Sequence, residues 1–445
     1  MKMDSLLIAN RGEIARRVQR TAKRMGLRTI AVASELDRDA PFAREADELH
    51  VIGPAAPKDS YLKGDAIIEL ARARGADAIH PGYGFLSENA DFAGAVEAAG
   101  LAFIGPTPET MRAVGGKLEA RALAERAGVP LVPGSPPLAD ASQAAAEAER
   151  IGYPIMIKAS AGGGGIGMTR VDGPKKLERA FAEAQRKGET FFGDGTVYLE
   201  KLIEHPAHVE VQILGDGHEV IALGDRDCTV QRRHQKVVEE APSPRLSPEL
   251  RAQMLEAAAE LGRAARYRNA GTVEMIHGDG SFYFLEVNSR LQVEHPVTEL
   301  VTGLDLVEQQ IRIARGEGLP TLPEPPGGHA IEARICAEDP DKRFFPSPGR
   351  IELVHFPEHP HVRVDAGVAS GSEVSPFYDS LLAKVIAWGK TRDEAIDRLR
   401  DYLAEARIEG LTSNLAVFPR VFAHEVFRAG THDTSFLLTE LGLKS

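Results

Sequence analysis

The first hundred residues alternate short apolar runs with segments of helical periodicity, and this alternation constrains the fold more than any other feature of the chain. The apolar runs predict strands at 5–9, 29–33, 49–52, 77–80 and 102–104. The segments between them predict helices at 12–25, 66–74 and 89–99. Strands that alternate with helices of this length favour a parallel, Rossmann-like sheet. The alternation alone leaves open whether this region is purely structural or contacts a ligand.

The pattern changes after about residue 130, where glycine-rich turns and alternating strands dominate as far as about residue 288. The segment 321–328 is rich in proline and glycine and predicts a linker. Beyond it, strands are predicted at 329–335 and 382–388. They are followed by a predicted helix over 391–406, which a capping box of Thr391 and Glu394 would open.

Composition and charge exclude several classes of protein. The 445 residues carry a formal net charge of −12, so the chain has no electrostatic reason to bind nucleic acid or an anionic membrane surface. No stretch approaches the roughly 18 consecutive apolar residues that a membrane helix needs. The two cysteines, Cys228 and Cys336, are too few for a disulfide framework and fit a reducing compartment. We therefore expect a cytoplasmic protein without a nucleic-acid or membrane partner.

A glycine-rich loop follows the predicted strand 153–158, which ends in Lys158. Glycines allow backbone N–H groups to approach phosphate oxygens, and the lysine supplies a positive charge. Residues 168–171 predict a second strand rather than a helix, so the dinucleotide-binding fingerprint does not apply. No Gly-Lys-Ser/Thr sequence follows, which excludes a P-loop. A glycine-rich hairpin that folds over ATP fits this pattern better than a flexible loop without a ligand.

A pair of carboxylates lies on a predicted hairpin with strands at 271–276 and 282–290. A register symmetric about Gly280 sets Glu274 opposite Glu286, and the period of two places Asn288 and Arg290 on the same face as Glu286. Two carboxylates opposite each other on a buried face repel, and a bound cation removes that cost. Mg²⁺ prefers such oxygen ligands together with substrate phosphates. The alternative, a solvent-facing acidic pair, is disfavoured by the apolar neighbours on both strands.

Cations and hydrogen-bonding groups are concentrated in two further stretches. The run 226–236 contains Gln231, His234 and Lys236, and it favours an anion site over an exposed basic loop. The run 290–295 places an arginine, an amide and a carboxylate within a few residues of the predicted metal site. That combination suits an oxyanion-binding group beside a general base.

Together these stretches resemble the ATP-grasp superfamily and, within it, the biotin carboxylases. The resemblance rests on IANRGEIA at 8–15, HPGYGFLSEN at 80–89, the loop after Lys158, QRRHQKVVEE at 231–240, EVNSRLQVEHPVT at 286–298, AEDP at 337–340 and YDS at 378–380. It implies an α/β fold of three domains. These are an N-terminal Rossmann-like parallel-sheet domain at 1–113, an ATP-grasp domain at 114–328 with a glycine-rich lid at about 131–203, and a C-terminal α+β domain at 329–445.

The resemblance also implies roles for the residues that match the family motifs. The implied ATP-binding residues are Lys117, Lys158, Gly164, Gly165, Glu200, Lys201, Leu202, Ile203, His208, Gln231 and His234, together with Glu274 and Glu286. The implied ligands of Mg²⁺ or Mn²⁺ are Glu274, Glu286 and Asn288. The bicarbonate pocket would comprise Lys236, Arg290, Gln292 and Val293, with Glu294 as the base that deprotonates bicarbonate. Arg334, with Tyr83 nearby, would hold the ureido oxygen of biotin, and Lys236, Arg290, Glu294 and Arg334 would form the catalytic group.

The implied activity is ATP- and Mg²⁺-dependent carboxylation of biotin by bicarbonate through carboxyphosphate. It would be the first half-reaction of an acyl-CoA carboxylase, with acetyl-CoA as the expected acceptor and fatty acid biosynthesis as the setting. We expect biotin to arrive on a separate biotin carboxyl carrier protein and separate carboxyltransferase subunits to use the product. The resemblance allows a homodimer paired through the first helix. That helix carries Arg17, Arg20 and Arg24 on one side without an interleaved acid, which argues against strong pairing.

Other functions remain open at this point. A different ATP-grasp ligase would join a carboxylate to an amine, and a carbamoyl-phosphate-type synthetase shares the glycine loop; the stretches around His80 and Arg334 argue against both. A catalytically silent subunit would have lost charged site residues, which this chain retains. Two positions depart from the family pattern, because Ile166 replaces a lid cation and Gly116 replaces an aspartate.

Overall fold

The structure is a computed structural model that describes residues 2–159, 168–233, 235–322 and 327–443, without the side chains of residues 118, 191 and 192. Gly164, Gly165, Ile166 and His234 therefore lie outside the described residues, as does part of the predicted linker. The chain forms two compact units. One comprises Met1–Val129, His205–Ile276 and Leu285–Ser445, and the other comprises Pro130–Glu204 and His277–Phe284.

The N-terminal region folds into a parallel five-stranded sheet. Its strands are β1 (Ser5–Ile8), β2 (Arg28–Ser34), β3 (Glu48–Gly53), β4 (Ala78–His80) and β5 (Ala102–Phe103), in the order β3-β2-β1-β4-β5. Its helices are α1 (Gly12–Arg24), α2 (Pro41–Glu45), α3 (Gly64–Ala73), α4 (Ala90–Ala98), α5 (Pro108–Gly115) and α6 (Lys117–Arg126). Every neighbouring pair of strands is parallel. The prediction of a Rossmann-like sheet is therefore confirmed. The five strands and the helices α1, α3 and α4 begin and end within two residues of the predicted positions, whereas α2, α5 and α6 were not predicted.

The strand order reverses at β1 and β4, and two of the sequence motifs follow these strands. The Asn10 amide donates hydrogen bonds to the carbonyls of Pro81 (2.7 Å) and Tyr83 (2.8 Å), which ties the two loops together. Ligands of open α/β sheets bind beyond the carboxyl ends of the strands at such a switch point. The fold thus places the segments 10–13 and 80–84 where a ligand is expected.

His80 ends β4 and is completely buried. Its Nδ1 accepts a hydrogen bond from the Gly82 N–H at 3.0 Å, and its Nε2 lies 3.2 Å from Gln310 Oε1. Burial lowers the pKa of His80 to about 4. The ring is therefore neutral in the folded protein at neutral pH.

Because the folded pKa lies below the unfolded value, His80 must cost stability as the pH falls. Its contribution is complete above about pH 6.5 and declines towards pH 4, with a loss of about 2 kcal/mol by pH 5. Denaturant unfolding at pH 7.5 and pH 5 should show this decline in the wild type and a smaller one in His80→Gln. An equal decline in both proteins would contradict the assignment.

The arginines of α1 are neutralised by acids from the same chain. Arg17, which is buried, pairs with Glu299 (2.6 Å) and Asp305 (2.8 Å). Arg20 pairs with Asp365 at 2.9 Å, and Arg24 pairs with Asp305 at 2.7 Å. The stripe lacks an acid of its own, as the sequence indicates, but carboxylates from distant segments balance its charge.

The second unit contains a three-stranded antiparallel sheet. Its elements are α7 (Ala141–Ile151), β6 (Ile155–Ala159), β7 (Met168–Val171), α8 (Leu177–Phe192) and β8 (Val197–Lys201), with the strand order β7-β6-β8. Ile155, Ile157 and Ala159 alternate into the core beneath the two helices, which leaves Met156 and Lys158 on the other face. The strand predicted at 168–171 is confirmed, and it pairs antiparallel with β6.

An eight-stranded sheet joins the middle of the chain to its C-terminal region. Its elements include β9 (Ala207–Asp216), β10 (Val220–Arg232), β11 (Gln235–Ala241), α9 (Pro248–Ala264), β12 (Arg268–Gly278), β13 (Ser281–Asn288), α10 (His295–Thr302), α11 (Leu306–Ala314) and β14 (His329–Cys336). The strand order is β13-β12-β9-β10-β11-β14, continued by two strands from the last hundred residues. The antiparallel pairing of β11 with β14 matters most for the site, because it sets Glu239 opposite Glu332 and Val238 opposite Ala333.

The remaining elements complete the C-terminal region. They are β15 (Glu338–Asp339), β16 (Phe345–Pro346), β17 (Gly349–Arg350), β18 (Leu353–His355), β19 (Val362–Ala366), β20 (Glu373–Val374), β21 (Leu381–Gly389), α12 (Arg392–Glu405), β22 (Arg407–Glu409), α13 (Phe418–Ala423), α14 (Glu425–Arg428) and α15 (Phe436–Thr439). Thr391 caps α12 by accepting from the Glu394 N–H at 3.2 Å, while Glu394 accepts from the Lys390 N–H rather than from Thr391. Among all the helices described, none is long and apolar enough to cross a membrane.

Candidate active site

Arg226 lies at the centre of the eight-stranded sheet and is fully buried. A guanidinium group has five N–H donors, and all five are used here. The acceptors are Glu210 Oε1 (2.5 Å), Gln212 Oε1 (2.7 Å), Thr298 Oγ1 (3.0 Å), Thr272 Oγ1 (3.0 Å) and Gln292 Oε1 (2.6 Å). Arg226 therefore has no donor left for a substrate, and it holds its neighbours in place.

Lys236 on β11 is the second buried cation of the site. Its Nζ donates to Glu210 Oε2 at 2.6 Å, to Glu274 Oε1 at 2.8 Å and to Glu294 Oε1 at 2.6 Å. Although burial opposes the charged form, the surrounding negative charges keep the pKa of Lys236 well above its ordinary value. The lysine therefore stays protonated and links the predicted metal residue Glu274 to the predicted base Glu294.

The predicted metal ligands lie close together at the edge of this cluster. Glu274 Oε1 also accepts from the amide of Asn288 (2.9 Å) and from that of Gln292 (2.8 Å), and His208 Nε2 lies 3.1 Å from Oε2. Although burial favours the neutral acid, Lys236 holds the pKa of Glu274 well below its ordinary value. The ionised form of Glu274 is therefore stabilised even without a metal. The attraction of Lys236 outweighs the repulsion between Glu274 and Glu286 that the sequence predicts.

Of the two carboxylates, Glu286 is the one whose ionised form is disfavoured. Its side chain is exposed, so the prediction of a pair on a buried face is wrong for this residue. Desolvation by the surrounding protein and then the charge of Glu274 raise the pKa of Glu286, while His208 and Lys117 oppose this shift.

The carboxylates of Glu274 and Glu286, with the amide oxygen of Asn288, are a donor set that suits Mg²⁺. Asn288 Oδ1 accepts from Arg290 Nη2 at 2.9 Å and keeps a second lone pair. The residues thus fit a magnesium ion.

The segment between β13 and α10 supplies the predicted bicarbonate residues. Arg290 Nε donates to Glu88 Oε2 at 3.0 Å, so the loop after β4 orients this arginine. The Val293 carbonyl accepts from Lys384 Nζ at 2.7 Å. Glu294 is buried, and the charges of Lys236 and Arg334 hold the pKa of Glu294 well below its usual range against the effect of burial. Glu294 is thus ionised and able to accept a proton.

Arg334 on β14 lies between two carboxylates. Its Nη2 donates to Glu294 Oε2 at 2.8 Å, and its Nε donates to Glu239 Oε1. Its Nη1 makes no hydrogen bond within the described ranges. Arg334 lines a cavity of about 460 Å³, whose walls also include Tyr83, Phe85, Arg290, Val293 and Tyr378. Tyr83 and Arg334 therefore meet at one cavity, where the Tyr83 hydroxyl donates to Glu13 Oε1.

The second unit holds five of the predicted ATP residues that the structure describes. Lys158 on β6 forms an ion pair with Glu200 on β8, which keeps the ammonium group at the end of the strand before the glycine loop. Lys201 Nζ donates to the carbonyls of Gly152 (3.1 Å) and Tyr153 (2.9 Å), and the Leu202 N–H donates to the Pro154 carbonyl at 3.1 Å. Ile203 is buried. In the first unit, Gln231 is buried and pairs with Lys236 across the β10–β11 hairpin.

Three carboxylates of the site were missed in the sequence: Glu88, Glu210 and Glu239. Glu210 could have been predicted from the sequence. His208, Glu210 and Gln212 alternate along the apolar strand β9 and therefore share one face. Glu88 and Glu239 lie within motifs that resemble the family, but nothing local shows that they contact Arg290 and Arg334. Those contacts depend on the pairing of segments far apart in the chain.

Known family models match most of the chain. Residues 2–111 match the biotin carboxylase N-terminal domain, 116–322 match the ATP-binding domain of the carbamoyl-phosphate synthase L chain, and 332–439 match the biotin carboxylase C-terminal domain. Together these matches span both the five-stranded and the eight-stranded sheets.

Individual relatives cover nearly the whole chain. The biotin carboxylase of Halalkalibacterium halodurans is 50% identical over 445 residues, which cover 99% of this chain and 98% of that protein. A pyruvate carboxylase subunit of Methanothermobacter thermautotrophicus is 48% identical, with 97% of this chain and 89% of that protein covered. The biotin carboxylase domain dimer of Hydrogenobacter thermophilus 2-oxoglutarate carboxylase was solved with MgADP, ADP and bicarbonate. It is 43% identical with a TM-score of 0.89, and the match covers 100% of this chain and 99% of that one. The chain belongs to the biotin carboxylase family of ATP-dependent ligases.

Proposed function

We propose that this protein uses ATP and bicarbonate to carboxylate biotin on a separate carrier protein. One observation carries the proposal. Glu294, the base expected for bicarbonate, is in direct contact both with Lys236 of the bicarbonate group and with Arg334 at the cavity. The two half-steps of such a reaction, activation of bicarbonate and transfer to biotin, would therefore share one carboxylate.

The nucleotide would be held by the residues that match the family's ATP motifs. These are Lys117, Lys158, Gly164, Gly165, Glu200, Lys201, Leu202, Ile203, His208, Gln231 and His234. Glu274, Glu286 and Asn288 would hold Mg²⁺ or Mn²⁺, which supplies neutralisation of phosphate charge when bound. Phosphoryl transfer needs mainly alignment and charge neutralisation, so these residues act by position rather than by covalent chemistry.

Bicarbonate would bind among Lys236, Arg290, Gln292 and the Val293 main chain, all beside Glu294. The three donors of Lys236 are used by carboxylates, so this residue would contribute its positive charge rather than a hydrogen bond. The Glu294 carboxylate takes the bicarbonate proton, and a bicarbonate oxygen attacks the γ-phosphorus of ATP. The bond from that phosphorus to the ADP oxygen breaks, which yields carboxyphosphate and ADP. The depressed pKa of Glu294 ensures that the group is ionised before the transfer.

Biotin would occupy the cavity beside Arg334. Carboxyphosphate breaks into CO₂ and phosphate, phosphate takes the proton from biotin N1′, and the nitrogen attacks CO₂. Negative charge then develops on the ureido oxygen, where a hydrogen-bond donor lowers the energy of the transition state. The Nη1 group of Arg334, which is not engaged by the described residues, supplies such a donor.

The proposal also covers the assembly of the protein and the final acceptor of the carboxyl group. We infer a cytoplasmic, homodimeric protein with domains at 1–113, 114–328 and 329–445, which works with carboxyltransferase subunits. Acetyl-CoA is our proposed acceptor, although relatives include a 2-oxoglutarate carboxylase domain and a subunit of pyruvate carboxylase. The carboxyltransferase that co-purifies with the native protein would identify the acceptor.

The purified chain is expected to cleave ATP only when bicarbonate and Mg²⁺ are both present, and free biotin should accelerate the cleavage. Release of ADP can be followed with each component omitted in turn. Equal turnover without bicarbonate would favour a different ATP-grasp ligase.

A further inference from the structure

Two buried side chains hold the main chain of the segment between β13 and α10, where bicarbonate is proposed to bind. His295 begins α10. Its Nδ1 lies 2.8 Å from the Gln292 carbonyl oxygen, which also accepts from the His295 N–H at 3.3 Å. Lys384 on β21 donates from Nζ to the Val293 carbonyl at 2.7 Å. The carbonyl groups of Gln292 and Val293 are thus both held by side chains that have no exposed surface.

The contact with Gln292 fixes the tautomer of the His295 ring. Burial, and then the positive charge of Lys384, lower the pKa of His295 well below its ordinary value, so the ring is neutral. A carbonyl oxygen can only accept a hydrogen bond, so the ring proton is on Nδ1. Nε2 has no hydrogen-bond partner among the described residues, and it lies 3.8 Å from Glu299 Oε2. The one donor of the ring is therefore committed to the main chain.

Lys384 is fully buried, which makes it an unusual donor for a carbonyl group. A neutral side chain could satisfy the Val293 oxygen, whereas burial of an ammonium group is unfavourable unless the group is paired. The carboxylate partner of Lys384 is Glu13, whose Oε1 lies 3.1 Å from Nζ and also accepts from the Tyr83 hydroxyl. The hydrogen bond to Val293 is therefore charge-assisted and holds the carbonyl more firmly than a neutral donor would.

These contacts set the direction of the Val293 N–H. Neither cis peptide bond of the described chain lies in this segment, so the C=O and N–H of each peptide unit point in opposite directions. The Gln292 carbonyl points to His295, and the Val293 N–H therefore points away from that ring. No group in the described ranges accepts a hydrogen bond from this N–H, and Val293 lines the same cavity as Arg290. Such an N–H group beside an arginine suits an anionic oxygen.

We propose that His295 and Lys384 are positioning residues for bicarbonate, which fix the two peptide units around Val293 so that its N–H faces the anion. The inference rests on the proposed function, and neither side chain would touch the substrate. His295 turns the positive N–H end of the first peptide unit towards the anion. Lys384 prevents rotation of the second unit, which leads to Glu294. Such preorganisation is effective because the dipoles need no reorientation when the anion binds.

The test compares two replacements of His295. Asparagine places an amide N–H close to the position of Nδ1 and can still donate to the Gln292 carbonyl, whereas leucine fills the space without a donor. The matched control is His432→Leu. His432 is also buried, but its ring packs against Phe427, with 5.0 Å between the ring centroids, instead of holding the bicarbonate segment.

The readout is ATP cleavage without biotin, measured at varied bicarbonate and separately at varied ATP. We expect His295→Leu to raise the KM for bicarbonate by about tenfold to a hundredfold, the scale of a misplaced donor. The KM for ATP should stay within about twofold of the wild type, because the lost interaction concerns only bicarbonate. His295→Asn should recover most of the loss. Lys384→Met should raise the KM for bicarbonate by about tenfold, as for one charged hydrogen bond, and His432→Leu should change neither KM.

A wild-type KM for bicarbonate in His295→Leu or in Lys384→Met would overturn the inference. The same holds if His295→Asn is as impaired as His295→Leu, or if both KM values rise equally, as a purely structural role would give. Should His295→Leu not fold, Lys384→Met decides by the same criteria. Failure of the proposed function would look different, because the wild-type protein itself would then show no saturation by bicarbonate.

Discussion

Replacement of Glu294 by glutamine is expected to lower bicarbonate-dependent ATP cleavage by about a hundredfold to ten thousandfold, the usual contribution of a general base. The amide cannot accept the bicarbonate proton, yet it keeps the size of the side chain and can still accept a hydrogen bond from Lys236. The rate of ADP release at saturating bicarbonate measures the effect directly.

Glu299→Gln is the matched control for Glu294→Gln. Glu299 lies five residues further along in α10, is also buried, and pairs with Arg17 and Arg363 at 2.6 Å each. Its replacement should lower the unfolding free energy but leave the catalytic rate within a few-fold of the wild type. A Glu294→Gln rate within tenfold of the wild type would show that another group takes the bicarbonate proton.

The two carboxylates of the proposed metal site should respond differently to substitution. Glu274→Gln and Glu286→Gln are each expected to raise the Mg²⁺ concentration needed for half-maximal activity by at least about tenfold, because each removes an anionic ligand. Only Glu274→Gln should destabilise the metal-free protein. We expect a loss of about 1.5–3 kcal/mol, since Glu274 accepts a hydrogen bond from the charged Lys236.

Glu286→Gln should leave the stability of the metal-free protein within about 0.5 kcal/mol of the wild type, because its side chain is exposed and removal of its charge relieves repulsion by Glu274. Denaturant unfolding in the presence of EDTA separates the two variants. An equal loss of stability in both would mean that Glu286 is held by contacts as strong as those of Glu274.

The parts of the fold set by local pattern could be predicted from the sequence. The five strands of the N-terminal sheet and the helices α1, α3 and α4 follow from apolar periodicity, and the strand at 168–171 follows from its contrast with the glycine loop. The proximity of Glu274 and Asn288 could also be predicted, because it depends on a single hairpin.

Contacts between distant segments could not be predicted in the same way. The carboxylates that neutralise Arg17 and Arg20 come from residues 299–305 and 365, and periodicity says nothing about them. The ion pair of Arg334 with Glu239 requires β11 to pair with β14, which are separated in the chain by α9, α10 and α11. Register between remote strands is set by the packing of the whole sheet rather than by either sequence alone.

The fully bonded guanidinium of Arg226 has a thermodynamic consequence for substrate binding. Its hydrogen bonds connect β9, β12, the segment after β13 and α10 before any substrate arrives. The groups around Lys236 therefore lose little further conformational entropy when bicarbonate binds, and this part of the site is preorganised. Lysine at position 226 could not reproduce this, because an ammonium group has three donors instead of a planar array of five. Arg226→Lys should thus weaken binding of bicarbonate chiefly through an entropic penalty, since the same ligating side chains would have to be ordered at each encounter.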